Sequence, residues 1–131
     1  MEVRHASFET PEFVALLRKH DVALVCTDSP QWPQMMDITA DFIYCRLHGA
    51  EELYASGYDD KTLQEWAKRA VSWSRGENPD NAKLAATPRS GKQIPRDVFV
   101  YFDNDVKVRA PHDAQALQSV VAAIQSKPAT R

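Results

Sequence analysis

Glycine is scarce in this 131-residue chain: there are four, and no two are adjacent. That excludes a glycine-rich loop of the kind that cradles phosphates. Cysteine occurs only as Cys26 and Cys45, each inside an apolar run and neither beside a nucleophile signature. This usage points to reduced, packed thiols in a cytoplasmic protein rather than a disulfide framework. No stretch approaches the ~18 consecutive apolar residues of a membrane helix. Residues 1–20 are charged and read as no secretory leader. The histidines His5, His20, His48 and His112 show neither HxH nor HExxH spacing. The sequence therefore names no metal ligand set, and the cofactor is left unknown. A formal net charge of -2 gives no general pull toward nucleic acid or an anionic membrane.

What is present is an ordinary globular composition, 44% apolar and 26% charged, of a length that fits one domain, 1–131. Four runs rich in β-branched and aromatic residues read as strands: Glu2–Arg4, Val22–Cys26, Phe42–Leu47 and Val98–Phe102. The first begins at the initiator methionine, which points to something missing upstream. Three helices are expected. The first takes Thr10 as cap and Pro11 at its first position, with Phe13, Leu16, Leu17 and His20 as its buried face. The second opens near Asp59 or Asp60, carries Leu63, Trp66, Ala67, Ala70 and Val71 at helical spacing, and ends at Gly76. The third opens between Pro111 and Asp113 and runs along Ala114, Leu117, Val120, Val121 and Ile124. Residues 29–41, with Pro30, Trp32 and Pro33, exclude a long regular helix but suffice for a parallel crossover. Alternating strands and helices imply an α/β fold with a parallel sheet covered by helices. Sites in such folds gather at the strands' C-terminal ends.

The run Phe42-Ile43-Tyr44-Cys45-Arg46-Leu47-His48 carries most of the information. Side chains alternate between the two faces of a strand. Ile43, Cys45 and Leu47 form an apolar face; Phe42, Tyr44, Arg46 and His48 share the other. A parallel strand buried on both sides should be apolar throughout, so Arg46 and His48 are exceptions. A buried guanidinium needs a carboxylate or a ligand. Glu2 and Arg4, Asp28, and Asp103-Asn104-Asp105 are the polar residues at the other strand ends. The set could hold a phosphate, a sugar or a metal-bound water. Each member also has a plain structural role open to it: an Arg46–Glu2 ion pair, a turn hydrogen bond from His48, turn chemistry at Asp28 and at 103–105. Trp66 reads as core. Tyr54 and Tyr58 lie in the loop after His48, where they cover a ligand or pack the loop.

A polar, basic connector spans 76–96. From Lys68 to Arg96 there are seven basic residues against two acidic ones, a weak nucleic-acid signal. Its course from a helix end to a strand start puts it on the face opposite His48, as a solvated, mobile loop.

The runs EVRH, DFIYCRLHG, LYASGYDDKTLQEWA and DVFVYFDND, followed by APHDAQAL, resemble the C-terminal half of the YecE-like family, the domain-of-unknown-function group numbered seventy-two. The resemblance covers nearly everything except the connector. It implies half of a TIM-type (β/α)8 barrel, about four parallel strands with covering helices, since such barrels run to ~250 residues. It also implies that Glu2, Arg4, Arg46, His48 and Asn104 fall on recurrent positions. Asp103 departs from the asparagine of the family's YFNN run. Some members have been likened to metal-dependent endonuclease and sugar-isomerase barrels, an analogy of fold alone.

Three roles follow as expectations. In the first, an enzyme acts on a phosphorylated, sugar-like or nucleic-acid ligand, with His48 as acid or base, Arg46 binding an anion and Glu2 orienting Arg46. Arg4, Asp28, Tyr54, Asp103, Asn104 and Asp105 would line the ligand. The second is a non-catalytic binding module for a small anion or nucleic acid. The third is an inactive half-barrel that pairs as a homodimer or with a missing N-terminal half. The homodimer is expected because four strands cannot close a barrel, which would leave Phe42, Tyr44 and Leu24 uncovered. No membrane partner is expected.

Overall fold

The computed structural model describes residues 1–49, 57–91, 93–105 and 108–127. It is a mixed α/β structure built on a parallel sheet of three strands: β1 (Val25–Asp28), β2 (Phe42–Leu47) and β3 (Asp97–Phe102), in the order β1-β2-β3. Three helices accompany it: α1 (Pro11–Lys19), α2 (Asp60–Ser74) and α3 (Arg109–Ser126). No helix among the described residues is long and apolar enough to cross a membrane.

Local chemistry accounts for the helix ends. Thr10 caps α1 by accepting from the Phe13 amide, with Pro11 just inside. Asp59 Oδ1 accepts from the Thr62 amide at 2.7 Å to start α2. Gly76, at φ 85, ends it, and the Gly76 and Glu77 amides return to the carbonyls of Trp73 and Ser72.

Two apolar clusters hold the elements together. One packs Ile43, Cys45 and Leu47 of β2 under Leu63, Trp66, Ala67 and Trp73 of α2 and Leu117 of α3. The other joins Val3, Val14, Leu17, Leu24 and Met35. Cys26 and Cys45 are register partners on β1 and β2, both free and buried. The neighbouring Cys26 thiol, together with burial, raises the Cys45 thiol well above its ordinary range.

Several expectations are corrected. Residues 2–4 form no strand: Met1 lies beside Ala23 and Val25, its carbonyl accepting from the Val25 amide at 2.9 Å, and a 3-10 turn at Ala6–Phe8 then bends the chain. His5 starts that turn by accepting from the Ser7 amide. The second expected strand begins three residues later and ends two residues later, at Val25–Asp28. Val14 replaces Leu16 on the buried face of α1, with Leu16 exposed, and Leu24 is buried in the second cluster rather than left open. The connector is irregular but not wholly solvated. Asp37 accepts from the amides of Ala85 and Ala86, and Ala82 and Leu84 pack against the main core.

Candidate functional site

Register decides which strand-end residues meet. Arg46 of β2 sits between Thr27 of β1 and Tyr101 of β3; Leu47 sits between Asp28 and Phe102. Side chains alternate, so Arg46, His48 and Asp103 belong to one face of the sheet. Asp28, Phe102 and Asn104 belong to the face that α2 and α3 cover.

On the first face Glu2 is the hub. Its Oε2 accepts from Arg46 at 2.8 Å and from Arg4 at 3.2 Å. Its Oε1 lies 2.9 Å from His48 Nε2 and 3.5 Å from the Thr27 hydroxyl, which donates to it. Arg46 reaches a second carboxylate, donating through its other terminal nitrogen to Asp103 Oδ2. His48 is fully buried, and its Nδ1 faces the same Asp103 oxygen at 3.5 Å. Backbone bonds fix these strand ends: the His48 amide donates to the Asp28 carbonyl and the Asp103 amide to the Leu47 carbonyl.

Burial opposes ionisation of Glu2, but the hydrogen bonds from His48 and Arg4 and the charge of Arg46 outweigh it. The carboxyl is held below its ordinary value. For Arg46, burial would lower the value, yet the bond to Asp103 and the charge of Glu2 raise it. The result is a guanidinium and an imidazole held by the same carboxylate. An imidazole donates from one nitrogen when neutral and from both when charged. The Nε2 contact with Glu2 sets the orientation of the ring at the end of β2.

Asp28, Asn104 and Asp105 do not join this cluster. Asp28 Oδ1 accepts from Gln34, and Asn104 donates to Asp113 Oδ2 at 2.7 Å. The same Asp113 oxygen accepts from the Tyr58 amide, and the Tyr58 hydroxyl accepts from the Gly49 amide at 3.0 Å. These contacts tie Tyr58 to Gly49 and to Asp113, and Asp113 to Asn104. Burial, reinforced by Asp28, pushes the Tyr58 phenol well up. Asp105 is exposed, its carbonyl accepting from the Val108 amide. Tyr54 lies outside the described residues. Among the described residues no group of three His, Cys, Asp or Glu is placed to hold a metal ion.

Two neighbours of the cluster do not stand out in the sequence. Thr27 is legible only through register. Trp32 stacks under Arg4, with Cζ 4.0 Å from the ring centroid, and meets His48 edge-on at 5.1 Å. Its one sequence signal is a tryptophan just before a proline in the segment after a strand's C-terminal end.

No curated protein matches the chain. Two solved structures share its fold. A DUF72 family protein from Enterococcus faecalis V583 superposes with a TM-score of 0.66 at 21% identity, over 92% of this chain and 46% of its own. A DUF72 family protein from Thermotoga maritima MSB8 also gives 0.66, at 23% identity, over 95% of this chain and 44% of its own. The chain thus spans less than half the length of either. The family model described as "Protein of unknown function DUF72" matches residues 1–131, and the chain belongs to that family.

Proposed function

We propose that the Glu2–Arg46–His48 cluster is one side of an enzyme active site for a phosphorylated or sugar-like ligand, at the C-terminal end of a parallel barrel to which this chain contributes half. The observation that carries the reading is the Glu2 carboxylate, which holds Arg46 at 2.8 Å and His48 at 2.9 Å at the end of β2. Open parallel sheets and parallel barrels both place their chemistry there. His48 serves as acid or base, Glu2 orients it and Arg46, and the cationic side of the cluster receives the anionic group. The test is ³¹P and ¹H NMR of the chain with a panel of sugar phosphates. Turnover that disappears in His48→Asn supports the reading. Ligand shifts without turnover, equal in both proteins, replace it with a non-catalytic binding module. Neither shifts nor turnover refutes it.

A specific observation favours a second reading, in which the chain works only when completed by another half-barrel. β3 carries no strand on its outer edge among the described residues, and Phe99 and Tyr101 stay about half exposed. Phe99 meets Phe42 edge-on and Tyr101 stacks on Tyr44, a continuous aromatic face. Such a face and edge are an interface in waiting. A second copy related by a two-fold axis would cover both. Light scattering at several concentrations tests this, and a stable monomer throughout the micromolar range counts against it.

A further inference from the structure

Arg46 is the conspicuous cation of the cluster, but its surroundings make it a poor anion receptor. One terminal nitrogen donates to Glu2 and the other to Asp103, so two carboxylates already surround it. A ligand anion approaching Arg46 would meet both negative charges. Arg4 is differently placed. Its side chain is 51% exposed and shares Glu2 Oε2 through a longer contact of 3.2 Å. That pair takes one of the five N–H donors a guanidinium offers. The plane of the group is propped on the Trp32 indole, with Cζ 4.0 Å from the ring centroid. Stacking of this kind fixes the fork while its edge remains in water, so little ordering is left to be done when an anion arrives. The same indole meets His48 edge-on at 5.1 Å. Trp32 thus forms a wall joining the accessible cation to the imidazole.

We infer that Arg4, braced by Trp32 and Glu2, grips the phosphate group of the ligand, and that Arg46 is a positioning residue that holds Glu2 and Asp103. The inference rests on the reading of this end of the sheet as a ligand site, and it names the residue that sets the preference for phosphate. An arginine fork matches two phosphate oxygens at once, which an ammonium cannot do.

Inorganic phosphate is the probe, titrated into the full chain at constant ionic strength so that screening does not vary. Tryptophan fluorescence reports on Trp32, because Trp66 and Trp73 are fully buried in the main core. Arg4→Gln is expected to weaken phosphate binding about tenfold or more, the usual scale for a lost charge-assisted fork. Arg4→Lys should fall between it and the wild type, and Trp32→Leu, which lacks the reporter and is followed by isothermal titration calorimetry alongside the wild type, should weaken binding several-fold. Arg89→Gln removes an equal charge from the connector, where Arg89 donates to the Arg18 carbonyl, and should leave binding unchanged. Circular dichroism checks that each variant is folded. Undiminished binding by Arg4→Gln overturns the assignment while leaving the ligand site standing. Equal losses in Arg4→Gln and Arg89→Gln also overturn it, since only overall charge would then matter. No binding by the wild type at millimolar phosphate overturns both the assignment and the site reading beneath it.

Discussion

Replacing Glu2 by glutamine removes the charge that Arg46 and His48 share, with almost no change of shape. The wild-type carboxylate receives Arg46 at 2.8 Å and His48 at 2.9 Å, from a side chain that is 13% exposed. Hydrogen bonds to charged groups contribute about 1.5–3 kcal/mol each. The interaction with the half-exposed Arg4 adds little. In Glu2→Gln one oxygen becomes an NH2 donor, so either Arg46 or His48 faces a donor, and the other keeps only a neutral acceptor. Removal of one hydrogen bond and weakening of the other give an expected destabilisation of about 2–4 kcal/mol at pH 7. The pH dependence carries a definite sign. The folded Glu2 pKa lies below its ordinary value of 4.5, so the unfolded state binds more protons in that window. Stability from Glu2 is complete above that ordinary value and is lost as pH falls through the depressed folded value. Urea unfolding of both proteins from pH 7 to pH 3 should show a gap that is full at pH 7 and narrows in acid. A gap below about 0.5 kcal/mol at pH 7, or one that widens toward pH 3, would refute Glu2 as the hub.

Three further substitutions probe the same frame. Tyr58→Phe takes the acceptor away from the buried Gly49 amide and should cost about 1–3 kcal/mol in urea unfolding; a neutral result would mean that the amide finds another acceptor. Gly76→Ala places a side chain at φ 85, with its Cβ 2.5 Å from the Ile94 backbone, and should lower stability by more than about 2 kcal/mol; calorimetry showing an unchanged Tm would contradict the close approach. Asp103→Asn keeps an oxygen for Arg46, and Asp103 is about a third exposed, so the loss should stay under about 1 kcal/mol in thermal unfolding; a loss as large as that of Glu2→Gln would move the hub from Glu2 to Asp103.

How much of this is legible in the sequence follows the range of the forces involved. The face of β2 that carries Arg46 and His48 can be read from residues 42–48 alone, because alternation is a property of the extended backbone itself. The ends of α1 and α2 are legible for a similar reason. Thr10, Asp59 and Gly76 act on amides and carbonyls within three or four residues. The membership of the cluster is only partly legible. Asp28 and Asn104 occupy strand ends as Asp103 does, yet they turn toward α2 and α3. That outcome depends on the pairing of Asp28 with Leu47 and of Leu47 with Phe102.

A one-residue change of register would exchange those faces, and no local pattern at 28 or 104 specifies it. The same limit applies to Trp32, which reaches Arg4 and His48 only because residues 29–41 fold back from the end of β1. The expected strand at Glu2–Arg4 fails for the converse reason: its residues favour extended backbone, but the turn that His5 and Ser7 begin draws the chain away after two bonds. By itself, then, the sequence determined the α/β class, the start of α1, both ends of α2 and the polar face of β2, all set by interactions a few residues apart; the start of α3, expected between Pro111 and Asp113, lies at Arg109, where no side chain caps the helix. Only the tertiary structure decided which carboxylates share Arg46 and His48, because that rests on the register between strands distant in the chain.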